Sequence, residues 1–152
     1  MSQATHHDAE LILKLYDLRR EPVMREARNF FAGFMPASSE DMLAMFFAFD
    51  KKENAYLRQV LSYWEMVAAL INHGTINPAL AQDTLGEMIF VYARVQPYVK
   101  AVREKLNSPE FMQNLEKLVE GTADGREKLE RHKQRMAEFA KMMQAQAAKQ
   151  GK

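Results

Sequence analysis

The sequence contains no cysteine, and this absence excludes several kinds of chemistry. Without thiols the chain cannot form disulfides, thiolate zinc sites or iron–sulfur clusters, and it has no cysteine nucleophile. Only six Gly and five Pro occur in 152 residues, which is few for a β-rich chain with many turns. The composition therefore argues against a sheet protein, and it is compatible with a reducing compartment.

Long hydrophobic runs are also absent. The longest strongly apolar runs are residues 42–49 and 66–71, and neither approaches the roughly 20 residues of a membrane-spanning helix. The N-terminal stretch MSQATHHDAE lacks the basic and then apolar pattern of a secretion signal. The sequence therefore predicts a cytoplasmic protein with no transmembrane segment.

The residues that are present indicate a helical globular domain. Apolar residues make up 47% and charged residues 27%, and eleven Met with many Ala, Leu, Glu and Lys favour helix. The net charge of +1 conceals an asymmetry, because residues 126–152 carry eight basic and three acidic side chains, a net +5, whereas residues 1–125 carry −4. An acidic body thus precedes a basic C-terminal segment.

Capping residues and apolar spacing predict three helices before residue 50. The first begins with Asp8 as N-cap and ends or kinks at Pro22, because Pro lacks the N–H that a helix needs. The second ends at Gly33, and the third begins at Ser38 with Asp41 in an approximate capping box. Tyr16 and the basic side chains of the first two helices form a surface that suits a phosphate group: Arg19, Arg20, Arg25 and Arg28. Because acidic residues alternate with them, the sequence favours the alternative, a solvated face.

A long helix around the only Trp is predicted to form the centre of the core. On a helical wheel, six apolar side chains lie within about 60° of Trp64: Leu57, Val60, Leu61, Val67, Ala68 and Ile71. The stretch NHGTINP then ends this helix near His73. Gly74 suits the left-handed residue after a helix, and Asn77 with Pro78 suits the start of the next one. The segment is predicted to be a structural turn and not an active site.

Two further body helices follow this turn. One is predicted from Pro78 to Leu106 with a kink at Pro97, because proline disrupts a helix interior. The other begins with Ser108 as N-cap and Pro109 as its first residue.

The predicted fold class is all-α: a bundle of five or six body helices plus a C-terminal amphipathic helix. The predicted organisation is a helical bundle domain at residues 1–120, a Gly-containing break at 121–125 and a basic amphipathic helix at 126–152.

The motifs of catalytic and metal sites are missing. Glu-x-x-His pairs, His-Glu-x-x-His and Gly-rich phosphate loops do not occur, so the sequence identifies no catalytic residue, no metal site and no cofactor. A Ser–His–Asp triad stays open, since its members come from anywhere in a chain, although no Gly-x-Ser-x-Gly elbow is present. The sequence favours a protein that is not an enzyme, and no nucleic acid partner is expected.

One polar set invites a functional interpretation. Six residues lie at the edges of the apolar faces of the Trp64 helix and the helix after it: Arg58, Glu65, Asn72, Asp83, Glu87 and Arg94. Because these helices are predicted to be antiparallel neighbours, Glu65 is placed to meet Arg94 or Glu87. Two facing carboxylates would form an acid/base pair with one raised pKa. The alternative, which the sequence favours, is a network of ion pairs and amides that fixes the helix register.

The helix after Pro78 also has a second apolar stripe opposite its core side: Ile89, Phe90, Ala93 and Pro97. A helix that is apolar on two sides is either buried on both or forms half of an interface. The stripe predicts a homodimer contact, and the alternative is burial under the first helix or the short Phe-rich helix.

Four segments resemble a known family: LYDLRREPVMREAR, VLSYWEMVAALINHGTINPAL, LGEMIFVYARVQPYVKAVRE and NLEKLVE. An aromatic–Glu helix, a Gly-x-Ile turn and a helix with Gly, an aromatic residue and Pro-Tyr follow one another within about residues 10–120. In this order they are similar to an uncharacterised family of small bacterial all-helical domains of unknown function. The resemblance implies an all-helical fold and supplies no activity.

Three functions are compatible with these features. The favoured one is a non-catalytic helical module that self-associates or binds a partner protein. The second is a small-molecule or lipid-binding pocket around Trp64 and Glu65 with acid/base capacity. The third is a peripheral binder of anionic surfaces that acts through the basic C-terminal helix.

Overall fold

The chain folds as an all-α bundle, as predicted. The computed structural model describes residues 3–151, in which nine α-helices and one 3-10 helix form and no strand occurs. The α-helices are α1 His6–Arg20, α2 Pro22–Gly33, α3 Ser39–Phe46, α4 Lys52–Asn72, α5 Pro78–Thr84, α6 Glu87–Val95, α7 Val99–Leu106, α8 Gln113–Glu120 and α9 Ala123–Gln150, and the 3-10 helix Gln96–Tyr98 links α6 to α7. Within these residues, no helix is both long and apolar enough to cross a membrane.

Helix α4 forms the centre of the core. Trp64 is fully buried, and all six apolar residues predicted around it are buried as well. Helices α2 and α8 pack against α4, and the guanidinium carbon of Arg19 lies 5.2 Å from the centroid of the Trp64 ring. The prediction of a central Trp64 helix is confirmed.

The turn between α4 and α5 follows the predicted sequence signals. Gly74 has a φ of +74°, in the left-handed region, and Ile76 packs back against the core with no exposed surface. The side chain of Asn77 accepts the N–H of Leu80 at 3.0 Å, and Pro78 is the first residue of α5. The prediction of a structural turn is therefore confirmed.

Side-chain caps set the starts of α1 and α3. The N-cap of α1 is Thr5, whose hydroxyl accepts the N–H of Asp8 at 3.3 Å, while Asp8 Oδ2 accepts the N–H of Thr5 at 2.7 Å. The prediction of Asp8 as the N-cap is therefore wrong, because Asp8 is the N3 residue of a capping box whose N-cap is Thr5. Its Oδ1 accepts the N–H of Asn77 at 2.7 Å, which ties α1 to the start of α5. In α3 the predicted cap is confirmed, since Ser38 accepts the N–H of Asp41 at 3.1 Å.

The single helix predicted over residues 78–106 is wrong, because the segment forms three α-helices. After α5, Leu85 leaves helical geometry with φ −116° and ψ 40°, and α6 starts anew beyond Gly86. At Pro97 the predicted kink is a 3-10 helix. The apolar stripe continues across both breaks, so its periodicity gave no sign of them.

The start of α8 also differs from the prediction. Asn107 ends α7 in the left-handed region with φ 51°, and the N–H of Ser108 donates to the carbonyl oxygen of Arg103 at 3.0 Å. Ser108 therefore closes α7, and the predicted helix start at Ser108 and Pro109 is wrong. The chain turns until Met112, which is buried and left-handed with φ 58°, and α8 follows it.

Helix α9 begins directly after a tight turn. Its N-cap Thr122 accepts the N–H of Gly125 at 3.0 Å, so most of the break predicted at 121–125 is the first turn of the helix. A Cβ on Gly125 would lie 2.0 Å from the carbonyl oxygen of Val119, and only Gly fits there. The first half of α9 packs on α6 and α8 through Leu129, which is buried, and Met136, which is half-buried.

Candidate functional site

Glu65 lies where α4 meets the start of α8. Its Oε1 accepts the backbone N–H of Asn114 at 2.8 Å and the Nδ2 of the same residue at 2.9 Å, and its Oε2 accepts the N–H of Leu115 at 3.0 Å. These N–H groups belong to the first turn of α8, whose N-cap Met112 supplies no side-chain cap. Glu65 therefore caps α8 from a neighbouring helix, and both of its oxygens are engaged.

The other two polar residues predicted on α4 also hold helix ends. Asn72 donates to the carbonyl oxygen of Asn114 at 3.0 Å, beside Glu65. Arg58 donates from Nε to Oδ1 of Asn54 at 3.0 Å, and the buried Asn54 donates to the carbonyl oxygen of Phe46 at 2.6 Å. Arg58, Glu65 and Asn72, which are spaced seven residues apart on α4, thus make contacts at the end of α3 and the start of α8.

Glu87 joins α6 to α1 and α2. Nη2 of Arg19 lies 2.5 Å from Glu87 Oε2, and Arg28 donates from Nε to Oε1 at 2.8 Å and from Nη2 to Oε2 at 2.5 Å. Burial acts to raise the pKa of Glu87, but the hydrogen bond from Arg28 and the charges of Arg19 and Arg28 outweigh it, so this pKa lies below its ordinary value. The solvated face predicted for Arg19 and Arg28 is wrong at these two positions, because both side chains bind Glu87.

Arg94 is buried and has no acidic partner among residues 3–151. Its Nη1 donates to the carbonyl oxygen of Phe34 at 2.5 Å and lies 3.4 Å from those of Phe31 and Ala32. Arg94 therefore satisfies carbonyl groups at the C-terminal end of α2. Burial lowers the pKa of Arg94 below its ordinary value.

The six predicted polar residues do not form one site. Glu65 and Asn72 share Asn114, whereas Asp83 is exposed on α5. The predicted contact of Glu65 with Arg94 or Glu87 is wrong. Helix α6 begins anew after the break at Leu85, and Glu87 faces α1 and α2 while Arg94 faces the end of α2. Glu65 and Glu87 therefore do not make the facing carboxylate pair that acid/base chemistry requires.

The second apolar stripe of α6 is largely covered by the same chain. Ala93 is buried, while Ile89 and Phe90 are half-buried where α9 packs on α6. The ring of Phe90 also packs edge-on against Phe31 of α2, with centroids 6.3 Å apart. Pro97 alone of the four is exposed. The cover is α9 with α2, and not α1 or α3 as in the alternative considered from the sequence.

A groove of about 670 Å³ runs along α4, and we call it the α4 groove. Its walls include the rings of Phe46 and Phe111, and its polar residues include Arg58, Glu65 and Glu110. Trp64 does not line the groove, because its side chain is enclosed in the core. The pocket predicted around Trp64 and Glu65 is thus wrong for Trp64, and Glu65 lies on the groove with both oxygens already engaged.

Residues 4–122 match the family described as domain of unknown function (DUF4760). The chain belongs to this family. The resemblance to an uncharacterised family of helical domains is therefore confirmed. No curated protein and no solved structure matches the chain. The match ends at Thr122, the N-cap of α9, so it contains α1 to α8 of the DUF4760 chain and stops where α9 begins.

The distal half of α9, residues 137–150, lies beyond this match and has little cover within the described residues. All of its residues except Ala140 are exposed. Three of them are large and apolar, with exposed fractions of 49% for Phe139, 58% for Met142 and 52% for Met143. The helix rises 1.5 Å per residue, so this half is about 21 Å long. The sequence predicted an amphipathic helix here but gave no sign that half of it would leave the body.

In the part of the chain that the structure describes, no group of three or more His, Asp or Glu side chains is arranged to hold a metal ion. The features that invite a functional interpretation are therefore the distal half of α9 and the surface pockets beside α4 and α6.

Proposed function

We propose that this DUF4760 chain is a non-catalytic interaction module that self-associates through the distal half of α9. The observation that carries this proposal is the exposure of Phe139, Met142 and Met143 on a helix that extends past the body. A helix of this length is marginal in water unless an apolar face is packed. Burying these side chains against a partner stabilises both the helix and the complex, at about 25 cal/mol per Å² of apolar surface.

A second copy of the chain is the partner that charge and symmetry favour. Residues 126–152 carry a net charge of +5 and residues 1–125 carry −4, so the basic helix of one copy is attracted to the acidic body of another. In a two-fold dimer each copy contributes the distal half of its α9 and a surface that contacts the α9 of the other copy. The same side chains are therefore buried in both subunits. We place the contact at the distal half of α9 because α9 already covers much of the stripe at Ile89 and Phe90.

Two neighbouring substitutions test the proposal. Met143→Glu and Gln144→Glu each add one negative charge at an exposed position, but only Met143 belongs to the apolar face. Light scattering should give twice the chain mass of 17.6 kDa for the unmodified protein. Met143→Glu should weaken the dimer about tenfold or more, because burying a charge is costly, and Gln144→Glu should leave it intact. A monomer at high concentration, or equal effects of both substitutions, would contradict the proposal.

Vesicle binding separates self-association from the surface-binding alternative, and the Met143→Glu variant supplies a monomer for the measurement. If the basic face of α9 served anionic surfaces, the monomer would bind anionic vesicles with an affinity that falls steeply with salt. We expect weak vesicle binding, because Glu127, Glu130 and Glu138 interrupt the basic face. Strong binding to vesicles by a monomeric protein would overturn the proposal.

The division into a bundle at residues 1–120 and an appended basic helix is part of this proposal. Among the buried apolar side chains of the described residues, only Leu129 comes from α9. A chain that ends at Glu120 should therefore keep its helical circular dichroism, lose stability and become monomeric. An unfolded shortened chain would show that α9 belongs to the folding unit. The cytoplasmic location predicted from the sequence stays a prediction.

A further inference from the structure

A pocket of about 410 Å³ lies where the end of α2, α6 and the middle of α9 meet. We call it the Arg94 pocket. Its apolar lining comes mainly from Met35, Phe90, Met136 and Phe139, and its cationic or titratable lining from Arg94, His132 and Arg135. Its size falls within the roughly 300–1,000 Å³ of small-molecule sites. Its lining residues in the described chain include no Asp or Glu, so the pocket combines apolar walls with uncompensated positive charge.

The charge of Arg94 lacks a counter-ion among residues 3–151. The residue is 8% exposed, and its Nη1 and Nε are used by carbonyl groups of α2 and by Sδ of Met136 at 3.5 Å. Its Nη2 has no hydrogen-bond partner in the described part of the chain, and it is not one of the fully enclosed unpaired atoms, so it borders accessible space. The rings of Phe31 and Phe90 offset only part of the cost of burying this charge.

Arg135 makes the pocket more attractive to an anion. Arg135 is exposed, whereas His132 is half-buried. Burial lowers the pKa of His132, and the charges of Arg135 and Arg131 lower it further, so His132 is uncharged at neutral pH and contributes a polar but neutral wall. The acidic side chains of α9 do not line the pocket, and Glu130 binds Lys133 on another face of the helix.

We propose that the Arg94 pocket binds a medium-chain carboxylate. The carboxylate lies at Nη2 of Arg94 and is reached by Arg135, and the alkyl chain packs on Met35, Phe90 and Met136. The planar guanidinium matches a carboxylate in geometry and charge. The apolar walls favour a ligand with a hydrocarbon chain over inorganic phosphate, which offers them nothing to cover.

Calorimetry on the full chain with three probes tests this site. Decanoate should bind saturably, whereas decanol, which has the same chain and no charge, and inorganic phosphate, which has charge and no chain, should bind at least about tenfold more weakly. Arg135→Gln should lower the affinity for decanoate by about tenfold, the loss of one charge-assisted hydrogen bond. Arg131→Gln is the matched control, because Arg131 is exposed one turn earlier on α9 and does not line the pocket.

Replacing Arg94 itself would be a poor test, because it also removes the hydrogen bonds of Arg94 to α2. A substitution elsewhere in the pocket wall avoids this problem. Met35→Glu introduces a carboxylate at a half-exposed position of the pocket wall and should abolish decanoate binding while the fold is kept. Met143→Glu should retain binding, since the site does not rest on self-association. Equal affinity for decanoate and decanol, equal losses from Arg131→Gln and Arg135→Gln, or unchanged binding by Met35→Glu would each overturn the proposal.

Discussion

Glu65 Oε2 accepts the N–H of Leu115 at 3.0 Å across 50 residues of sequence. The contact joins the middle of the central helix to the first turn of α8, which has no side-chain cap of its own. A carboxylate at a helix N-terminus is stabilising because it meets unpaired N–H groups and the positive end of the helix dipole. Helix α8 therefore depends on α4 for its start as well as for its packing.

Replacing Glu65 should destabilise the fold through α8. Glu65→Ala leaves the N–H groups of Asn114 and Leu115 without their acceptor and should lower the free energy of unfolding by about 1–2 kcal/mol, as for loss of an N-cap. Urea unfolding measures this change. Glu104→Gln, at an exposed position on α7, should change stability by less than about 0.5 kcal/mol. Equal effects of the two substitutions would show that the cap contributes nothing.

Glu87 should make stability depend on pH. Its pKa is lower in the folded chain than the ordinary value of 4.5, so the ion pairs stabilise the fold fully above that pH. This stabilisation is lost as the pH falls through the folded-state pKa. Glu87→Gln should cost about 3 kcal/mol near neutral pH, because Arg19 is left buried without its counter-ion.

The difference between the unmodified chain and Glu87→Gln should therefore shrink between about pH 6 and about pH 3. Unfolding in urea at several pH values measures it. Glu104→Gln serves again as the control substitution at an exposed position. A difference that stays constant with pH would mean that Glu87 gains nothing from Arg19 and Arg28 in the fold.

Trp64→Ala should be among the most destabilising single changes. The side chain is fully buried, and its removal leaves a cavity that should cost about 3–5 kcal/mol. Met66→Ala, on the same helix with 43% of Met66 exposed, should cost far less. A loss below about 1 kcal/mol for Trp64→Ala would be inconsistent with the packed core described above.

Alanine substitutions at Gly125 and Gly33 should have opposite effects on stability. Gly125→Ala places a Cβ 2.0 Å from the carbonyl oxygen of Val119 and should cost about 1–3 kcal/mol, because backbone must shift. At Gly33 an added Cβ meets no atom within 4 Å, and Gly33→Ala should be neutral or stabilise by up to about 1 kcal/mol. Thermal unfolding compares them directly. Two equal changes would disprove the tight turn before α9.

The elements that local chemistry determines were predictable. The turn at Gly74, the cap at Asn77 and the apolar arc depend on residues within about two helical turns of Gly74, Asn77 or Trp64. Such short-range signals survive in any tertiary context that keeps both helices. The breaks at Leu85 and Met112 were missed, because an apolar stripe crosses the first and a backbone turn sets the second.

The partners of the polar residues were not predictable. Arg19 and Arg28 precede Glu87 by 68 and 59 residues, and the sequence offers no periodicity that links them. Their pairing depends on where α6 lies relative to α1 and α2, which follows from the packing of whole helices. For the same reason the sequence indicated six candidate residues but not that their contacts lie in separate places. Those places are the start of α8, the end of α3, the junction of α6 with α1 and α2, and the end of α2.

The burial of Trp64 also determines what an unfolding experiment will see. As the only Trp, it makes tryptophan fluorescence a report on the surroundings of α4 alone, whereas circular dichroism counts every helix. The distal half of α9 contributes to the ellipticity and lies far along the chain from that reporter. In a monomer its fraying would lower the ellipticity while the fluorescence stays constant, so the two thermal curves would separate. In a dimer that buries Met142 and Met143 the two curves would coincide. The gap between the curves should therefore narrow as the protein concentration rises and the dimer forms.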